Sequence, residues 1–390
     1  MPELLGIANP ADRPFAEVWL GAHPALPARL AMDEDEVPFD ELLGSHGAAF
    51  LGSGVMGAFG GLPYLLKILA AAQPLSIQVH PTKAQAEEGF RREEAAGVPR
   101  DAPHRGYRDA NHKPEVLVAL TPFHALSGFR TLEEIGTVLE GLRELAGLLP
   151  SYAPTPDGLR ALLEAYLALP DDRIQPALAR LVERLREEHG GGPGAMDDPV
   201  YWLLEADRVF SSPGRVDRGL LFVLLLELVH LEPGEALFQP ARVPHAYLRG
   251  AGVELMANSD NVLRCGLTPK HIDAHELLRI VDFQPTGPVR VQPHVGLTSD
   301  HRVYETPARE FALAEVSIGP GRIVDAVAHG TDTLVVTGAG PEATVRVAAP
   351  DGVVELARGG ACVVPHGVAY TLGADAPATL FRASVPAAIG

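Results

Sequence analysis

Gln78 and His80 stand two apart in Ser76-Ile77-Gln78-Val79-His80, a short apolar run that reads as a β-strand. Side chains two apart on a strand share a face. Pro81 ends that strand and puts His80 near its rim. Lys113 and Glu115 repeat the arrangement at the start of Glu115-Val116-Leu117-Val118-Ala119-Leu120, and Pro114 between them, unable to donate to a ladder, suits a strand start. His245 follows Pro244 at the end of an expected strand pair, where the mouth of a barrel would lie. Gln78, His80, Glu115 and His245 together offer two imidazoles, a carboxylate and an amide oxygen. That N/O set without thiolates suits zinc with a position left for water. The spacing is too dispersed for a zinc finger or an H-E-x-x-H helix, and each residue alone reads as structural. Only the set is chemical.

A second group follows in Gly252-Val253-Glu254-Leu255-Met256-Ala257-Asn258-Ser259-Asp260-Asn261-Val262-Leu263-Arg264, with Lys270 six residues on. Glu254 lies in an apolar stretch, where burial raises a carboxyl pKa. Arg264 and Lys270 are cations beside the Asn258–Asn261 turn, which taken alone reads as a solvated loop. Gly52-Ser53-Gly54-Val55-Met56-Gly57 satisfies G-x-G-x-x-G but lacks the acidic residue about 20 positions on that a dinucleotide site needs, so it reads as a mobile glycine loop. No G-x-x-x-x-G-K-[ST] occurs.

The elements that must position these residues fall into three blocks. Residues 1–129 are rich in Pro and Gly with short apolar runs, as strands and loops are. At Thr131 the pattern changes: Thr131-Leu132-Glu133-Glu134 is a capping box, and Leu132, Ile135, Val138, Leu139, Leu142 and Leu145 keep a helical period. Further helical patterns cover about 157–169 and 174–188, broken at Pro170 and at Gly190-Gly191-Gly192-Pro193. From Gly219 the chain reads as strand again: Leu220 to Leu226, then Leu231 to Pro240 with a Pro233-Gly234 turn that fits a barrel hairpin. The last hundred residues are short strands with Gly/Pro punctuation, a sandwich or barrel signature. Gly234–Pro240 and Gly360–Pro365 form a faint repeat, as two related barrels would.

Composition narrows the partners. Lys+Arg 32 against Asp+Glu 50 gives a net charge of −18, which argues against nucleic acid or an anionic membrane. Hydrophobic residues at 46% are ample for a packed core. Cys265 and Cys362 cannot staple a chain of 390 residues, so a reduced, cytoplasmic protein is expected. No basic region followed by an apolar stretch opens the chain. The uncharged run Gly47–Leu66 is long enough to span a bilayer, but its six glycines and Pro63 read as loop and turn.

Gln73-Pro-Leu-Ser-Ile-Gln-Val-His-Pro81, Asn111-His-Lys-Pro-Glu115, Pro244-His-Ala-Tyr-Leu248 and Ser259-Asp-Asn-Val-Leu-Arg-Cys-Gly-Leu-Thr-Pro-Lys270 closely resemble the type I phosphomannose isomerases. So does Ala16-Glu17-Val18-Trp19-Leu20-Gly21-Ala22-His23-Pro24, near the start. The resemblance covers most of residues 1–285, with two minor departures at Arg242 and Cys265. It implies a mainly β chain with a helical insertion. A cupin-type jelly-roll catalytic domain would span 1–129 plus 217–287, an inserted helical domain 130–216, and a metal-free jelly roll 288–390. It further implies an aldose–ketose isomerase acting on mannose 6-phosphate and fructose 6-phosphate, with one Zn2+ per chain held by Gln78, His80, Glu115 and His245. Arg264 takes the position of a functionally important arginine, and Ser76, Lys113, Glu254 and Lys270 fall at polar pocket positions.

Such chemistry abstracts a proton α to a carbonyl, through a cis-enediol(ate), and needs a group to carry that proton between adjacent carbons. Glu254, His112 and Lys113 are rival candidates, and Arg264 suits either the enediolate or the phosphate. Ser76, Lys113, Lys270 and Arg264 are the expected substrate contacts. In the C-terminal repeat Ala369 stands where His245 does, and His366 is expected to be structural. No nucleic acid or membrane partner is expected, and the chain is expected to act as a monomer. A non-catalytic sugar- or sugar-phosphate-binding cupin is the alternative; a cupin dioxygenase would need a His-x-His block that is absent.

Overall fold

One strand, His245–Ala257, serves two sheets. Its first part pairs antiparallel with Ile77–Val79 and Phe123–Phe129, its second with Tyr64–Ala71 and Glu115–Ala119. The change of partners falls at Gly250, whose φ is 127° and where a Cβ would lie 2.6 Å from the Phe123 ring. Only glycine meets both demands. Leu263–Gly266 flanks Ile77–Val79, Leu226–Leu231 flanks Phe123–Phe129, Glu17–Leu20 flanks Tyr64–Ala71 and Ala236–Gln239 flanks Glu115–Ala119. Leu69, Leu117, Phe123, Val229, Leu237 and Tyr247 fill the space between the sheets. This is the cupin-type arrangement that the resemblance implies. The computed structural model describes all residues except 12, 33–34, 191–193, 297–299, 341–342 and 390.

Two readings of this region need correction. The Pro233-Gly234 turn closes no hairpin, because Leu226–Leu231 pairs with Phe123–Phe129 and Ala236–Gln239 with Glu115–Ala119. The turn carries the chain from one sheet to the other. Leu220–Leu225 is a helix, not a strand, and all six of its residues are buried. A run that is apolar on every side carries no period to separate the two.

Helices Leu132–Gly141, Pro156–Ala168, Asp171–Glu188 and Pro199–Phe210 precede it, the first opened by the expected Thr131–Glu134 capping box. The break expected at Gly190–Pro193 begins at Gly190, with φ 64°, while 191–193 lie outside the described residues. Leu159, Leu162, Tyr166, Leu178 and Leu181 share one core with Ile77, Val79, Leu126, Phe129, Ala246 and Leu248. The helices therefore back the strands that end at His80 and begin at His245.

The glycine-rich run is also not a loop. Phe39–Phe59 is helical, with non-helical dihedrals at His46 and Gly52, and ends at Gly60 in the left-handed region. It is the one helix among the described residues long and apolar enough to cross a membrane. The break at Gly52 leaves pieces too short to do so. Gly52 has φ 77°, and a Cβ there would sit 2.7 Å from the His366 imidazole, which also accepts from the Gly330 amide at 3.0 Å. His366 thus packs the C-terminal sandwich onto this helix.

That sandwich faces His301–Tyr304, Ala312–Ile318, Asp332–Ala339, Ala361–Val364 and Ala378–Ser384 against Ile323–Val327, Val345–Ala349, Gly352–Leu356 and Ala369–Ala374. Val316, Leu334, Val336, Val347, Leu372 and Leu380 lie between. Its outer face presents Tyr304, Phe311, Leu313, Val335 and Phe381 to Tyr64, Leu66, Ile68, Val116, Val118 and Leu255. The faint repeat is structural: Ala236–Gln239 leads through a turn to His245–Ala257 as Ala361–Val364 leads to Ala369–Ala374.

Candidate active site

His80, Glu115 and His245 come together from three strand ends and are buried. Their donor atoms all lie within 4.8 Å of one another. His80 Nε2 is 3.5 Å from Glu115 Oε1, and His245 Nε2 is 3.5 Å from Glu115 Oε2. Neither contact makes a hydrogen bond, so His80 Nε2, Glu115 Oε2 and His245 Nε2 are buried with no partner. Each imidazole is turned by its other nitrogen: His80 Nδ1 donates to the Asn261 carbonyl at 2.8 Å, His245 Nδ1 to the Val243 carbonyl at 3.0 Å. Outer partners of this kind fix the tautomer that leaves an Nε2 lone pair for a metal. Burial drops the His80 pKa to about 4, which keeps that lone pair free. Burial would push the Glu115 carboxyl up, but His80 and Lys113 hold it well below the usual range. The set fits a divalent cation, which would supply what the three atoms lack.

Gln78 joins them by register. It pairs with His245 on one side and Arg264 on the other, and cross-strand partners put their side chains on one face. Ser76, half-buried, immediately precedes that strand. Lys113 Nζ lies 3.3 Å from Glu115 Oε1. Gln239 pairs with Glu115 across the next strand; its oxygen accepts from Ser127 at 2.9 Å, while its buried Nε2 has no partner.

Glu254 is as deeply buried as its apolar stretch suggests, but it is not alone. It pairs in register with Lys67, and Lys67 Nζ lies 3.2 Å from Glu254 Oε2, with the two side chains 7% and 3% exposed. Tyr247 donates to the other oxygen at 2.9 Å. Burial raises the Glu254 pKa against the pull of Lys67. Burial works against the Lys67 charge, yet Glu254, Glu17 and Glu115 outweigh it and raise its pKa. Lys67 also sits 4.9 Å above the Trp19 ring, which ties the Ala16–Pro24 motif to the site. Sequence reasoning missed Lys67; its signal is a lone lysine inside the apolar run Tyr64–Ala71.

The turn at Asn258–Asn261 is not a solvated loop. Ser259 and Asn261 are buried. Asn261 Oδ1 accepts from the Arg108 amide at 2.8 Å, and its Nδ2 donates to the carbonyls of Asp109 and Asn111, each at 2.8 Å. One side chain thus braces segment 108–111 while its carbonyl orients His80. Asp260 pairs with His23 at 3.3 Å, from the opening motif.

Arg264 is half-buried and Lys270 exposed. Burial lowers the Arg264 pKa and Arg108 lowers it further; Arg264, then burial and Arg108, lower that of Lys270. Three cations therefore feel one another at one rim, and Arg108 was not foreseen. Lys113 is turned instead toward Glu115. His112 lies at the edge, its Nε2 2.7 Å from Glu310 Oε1 of the C-terminal sandwich. Cys265, beside Arg264, is buried, and burial pushes its thiol pKa up.

A family profile described as phosphomannose isomerase type I, catalytic domain, matches residues 1–132. The mannose-6-phosphate isomerase of Salmonella typhimurium is 41% identical over 329 residues, covering 82% of this chain and 81% of that one. That of Homo sapiens is 32% identical over 399 residues, covering 95% and 89%. A crystal structure of a mutant phosphomannose isomerase from Salmonella typhimurium superposes with a TM-score of 0.85 at 33% identity, covering 98% and 94% of the two chains. A mannose 6-phosphate isomerase bound with zinc and yttrium superposes with a TM-score of 0.79 at 34% identity, over the same shares.

Proposed function

The chain belongs to the type I phosphomannose isomerase family, and from that premise we propose how its residues interconvert mannose 6-phosphate and fructose 6-phosphate. We infer one zinc per chain, held by His80, Glu115, His245 and Gln78. The observation that carries this is the convergence of three buried, partnerless donor atoms. Zinc bound there would polarise the substrate oxygens and stabilise negative charge as the proton leaves carbon.

The chain's own residues do the rest. Arg264, Lys270 and Arg108, with Ser76 just ahead of the strand that pairs with Arg264, supply positive charge and donors for the phosphate on an otherwise acidic protein. Lys113 holds Glu115 in place and balances its charge. Glu254 has one oxygen committed to Lys67 and the other to Tyr247, so it anchors a buried charge network. His112, with its side chain 28% exposed, is the rival left with access to substrate, and an imidazole can take a proton from one carbon and return it to the next. Arg264 serves the enediolate as well as the phosphate. The three proposed domains keep the boundaries 1–129 plus 217–287, 130–216 and 288–390, and the enzyme works as a cytoplasmic monomer without nucleic acid or membrane. A coupled assay for fructose 6-phosphate formed from mannose 6-phosphate tests the reading. Turnover is expected; zinc bound without turnover would favour a sugar-phosphate-binding cupin.

A further inference from the structure

Glu310 comes from the loop 305–311 of the C-terminal sandwich, 198 residues away from His112 in sequence. It is 8% exposed, which is rare for a carboxylate without a partner. One oxygen lies 2.7 Å from His112 Nε2, and the other accepts from the Arg309 backbone amide at 3.1 Å. Burial would push its pKa up, but His112 outweighs burial and lowers it. The next residue, Phe311, is 2% exposed and shares a core with Tyr64, Leu66 and Val116. The loop cannot drift without opening that core. A carboxylate fixed from below thus grips one nitrogen of a half-exposed imidazole, one residue before Lys113 and three before Glu115.

We propose that Glu310 is a positioning residue for the isomerisation: it holds the His112 ring and the proton on Nε2, leaving Nδ1 to exchange a proton with substrate. The C-terminal sandwich then completes the active site rather than merely packing against it. This inference rests on the isomerase reading above. A carboxylate that only tied the two sandwiches together would change stability and leave turnover alone.

Steady-state kinetics of Glu310→Ala, His112→Asn and the double variant test it. Glu310→Ala is expected to lower kcat about tenfold, the scale of a lost orienting partner, and His112→Asn about 100-fold or more, the scale of a lost general base, each with KM within about twofold. The double variant is expected to fall no further than the worse single one, because Glu310 acts only through His112. Glu310→Gln keeps the shape and still accepts from Nε2; it is expected to lose about threefold, and it decides the matter if the alanine variant does not fold. Glu315→Gln removes a carboxylate that accepts from Arg302 and Tyr304 elsewhere in the same sandwich. It is expected to lower Tm with kcat within about twofold of the parent. The inference is overturned if both Glu310 variants keep the parent kcat, if the losses multiply in the double variant, or if Glu315→Gln loses as much. A parent without turnover would instead sink the isomerase reading, and this inference with it, before any variant is made.

Discussion

Lys67→Met isolates the buried pair beneath the site. At 3.2 Å and an effective dielectric of about 20, the attraction between Lys67 and Glu254 is about 5 kcal/mol, before the cost of desolvation. Removing the lysine leaves the Glu254 carboxylate buried with only the Tyr247 hydrogen bond, and a broken buried pair typically costs about 3–5 kcal/mol. The variant escapes part of that cost by protonating Glu254, whose pKa burial already raises. An acid whose folded pKa exceeds its unfolded value stabilises at low pH and loses that contribution as pH rises through the folded pKa. The deficit of Lys67→Met should therefore grow from pH 6 to pH 8, by up to about 1.4 kcal/mol per unit until the pH passes the new Glu254 pKa, and level off above it. Urea denaturation at the two pH values reads it. Adding Glu254→Gln should recover most of the loss at pH 8. Equal deficits at pH 6 and pH 8, with no recovery in the double variant, would refute the argument.

Three further expectations follow from the geometry. Glu276 accepts from Arg279 at 2.7 and 3.0 Å and from Tyr107, and pairs with Arg92 at 3.0 Å; burial opposes ionisation, yet these partners bring its pKa down to about 2. A lowered carboxyl pKa stabilises above about 4.5 and is lost as pH falls toward 2, so Glu276→Gln should cost about 1.5–3 kcal/mol at pH 7 and almost nothing near pH 2 in denaturation experiments. Arg264→Ala should lose mainly kcat, by about 100-fold, while Lys270→Ala should mainly raise KM, by about 3–10-fold; steady-state kinetics in which both changed only KM would remove the catalytic role of the arginine. Gly52→Ala forces a Cβ to within 2.7 Å of the His366 ring at a φ of 77°, so it should cost about 1–3 kcal/mol by thermal or urea denaturation, and an unchanged stability would deny the close packing.

The proposed ligands are legible because prolines mark their strand ends: His80 before Pro81, Glu115 after Pro114, His245 after Pro244. Their neighbours are less so. Lys67 is an unremarkable lysine until the register with Glu254 is known, and register is a tertiary fact. The Asn258–Asn261 turn has the composition of a solvated loop, and only the approach of segment 108–111 buries it. Leu220–Leu226 reads as strand and Gly47–Leu66 as loop for opposite reasons: the first is too uniformly apolar to show a period, and the second is helical as far as Phe59 despite its glycines. Glu310 lies far from every motif, beyond residues 1–285, which carry the resemblance.

The most direct test of the account is a paired measurement of metal and turnover on the purified chain. It predicts about one equivalent of zinc per chain, loss of mannose 6-phosphate isomerisation when a chelator removes it, and recovery on adding zinc back. His245→Ala should fail to retain the metal under the same conditions. Full turnover by protein shown to be free of divalent metal would contradict it.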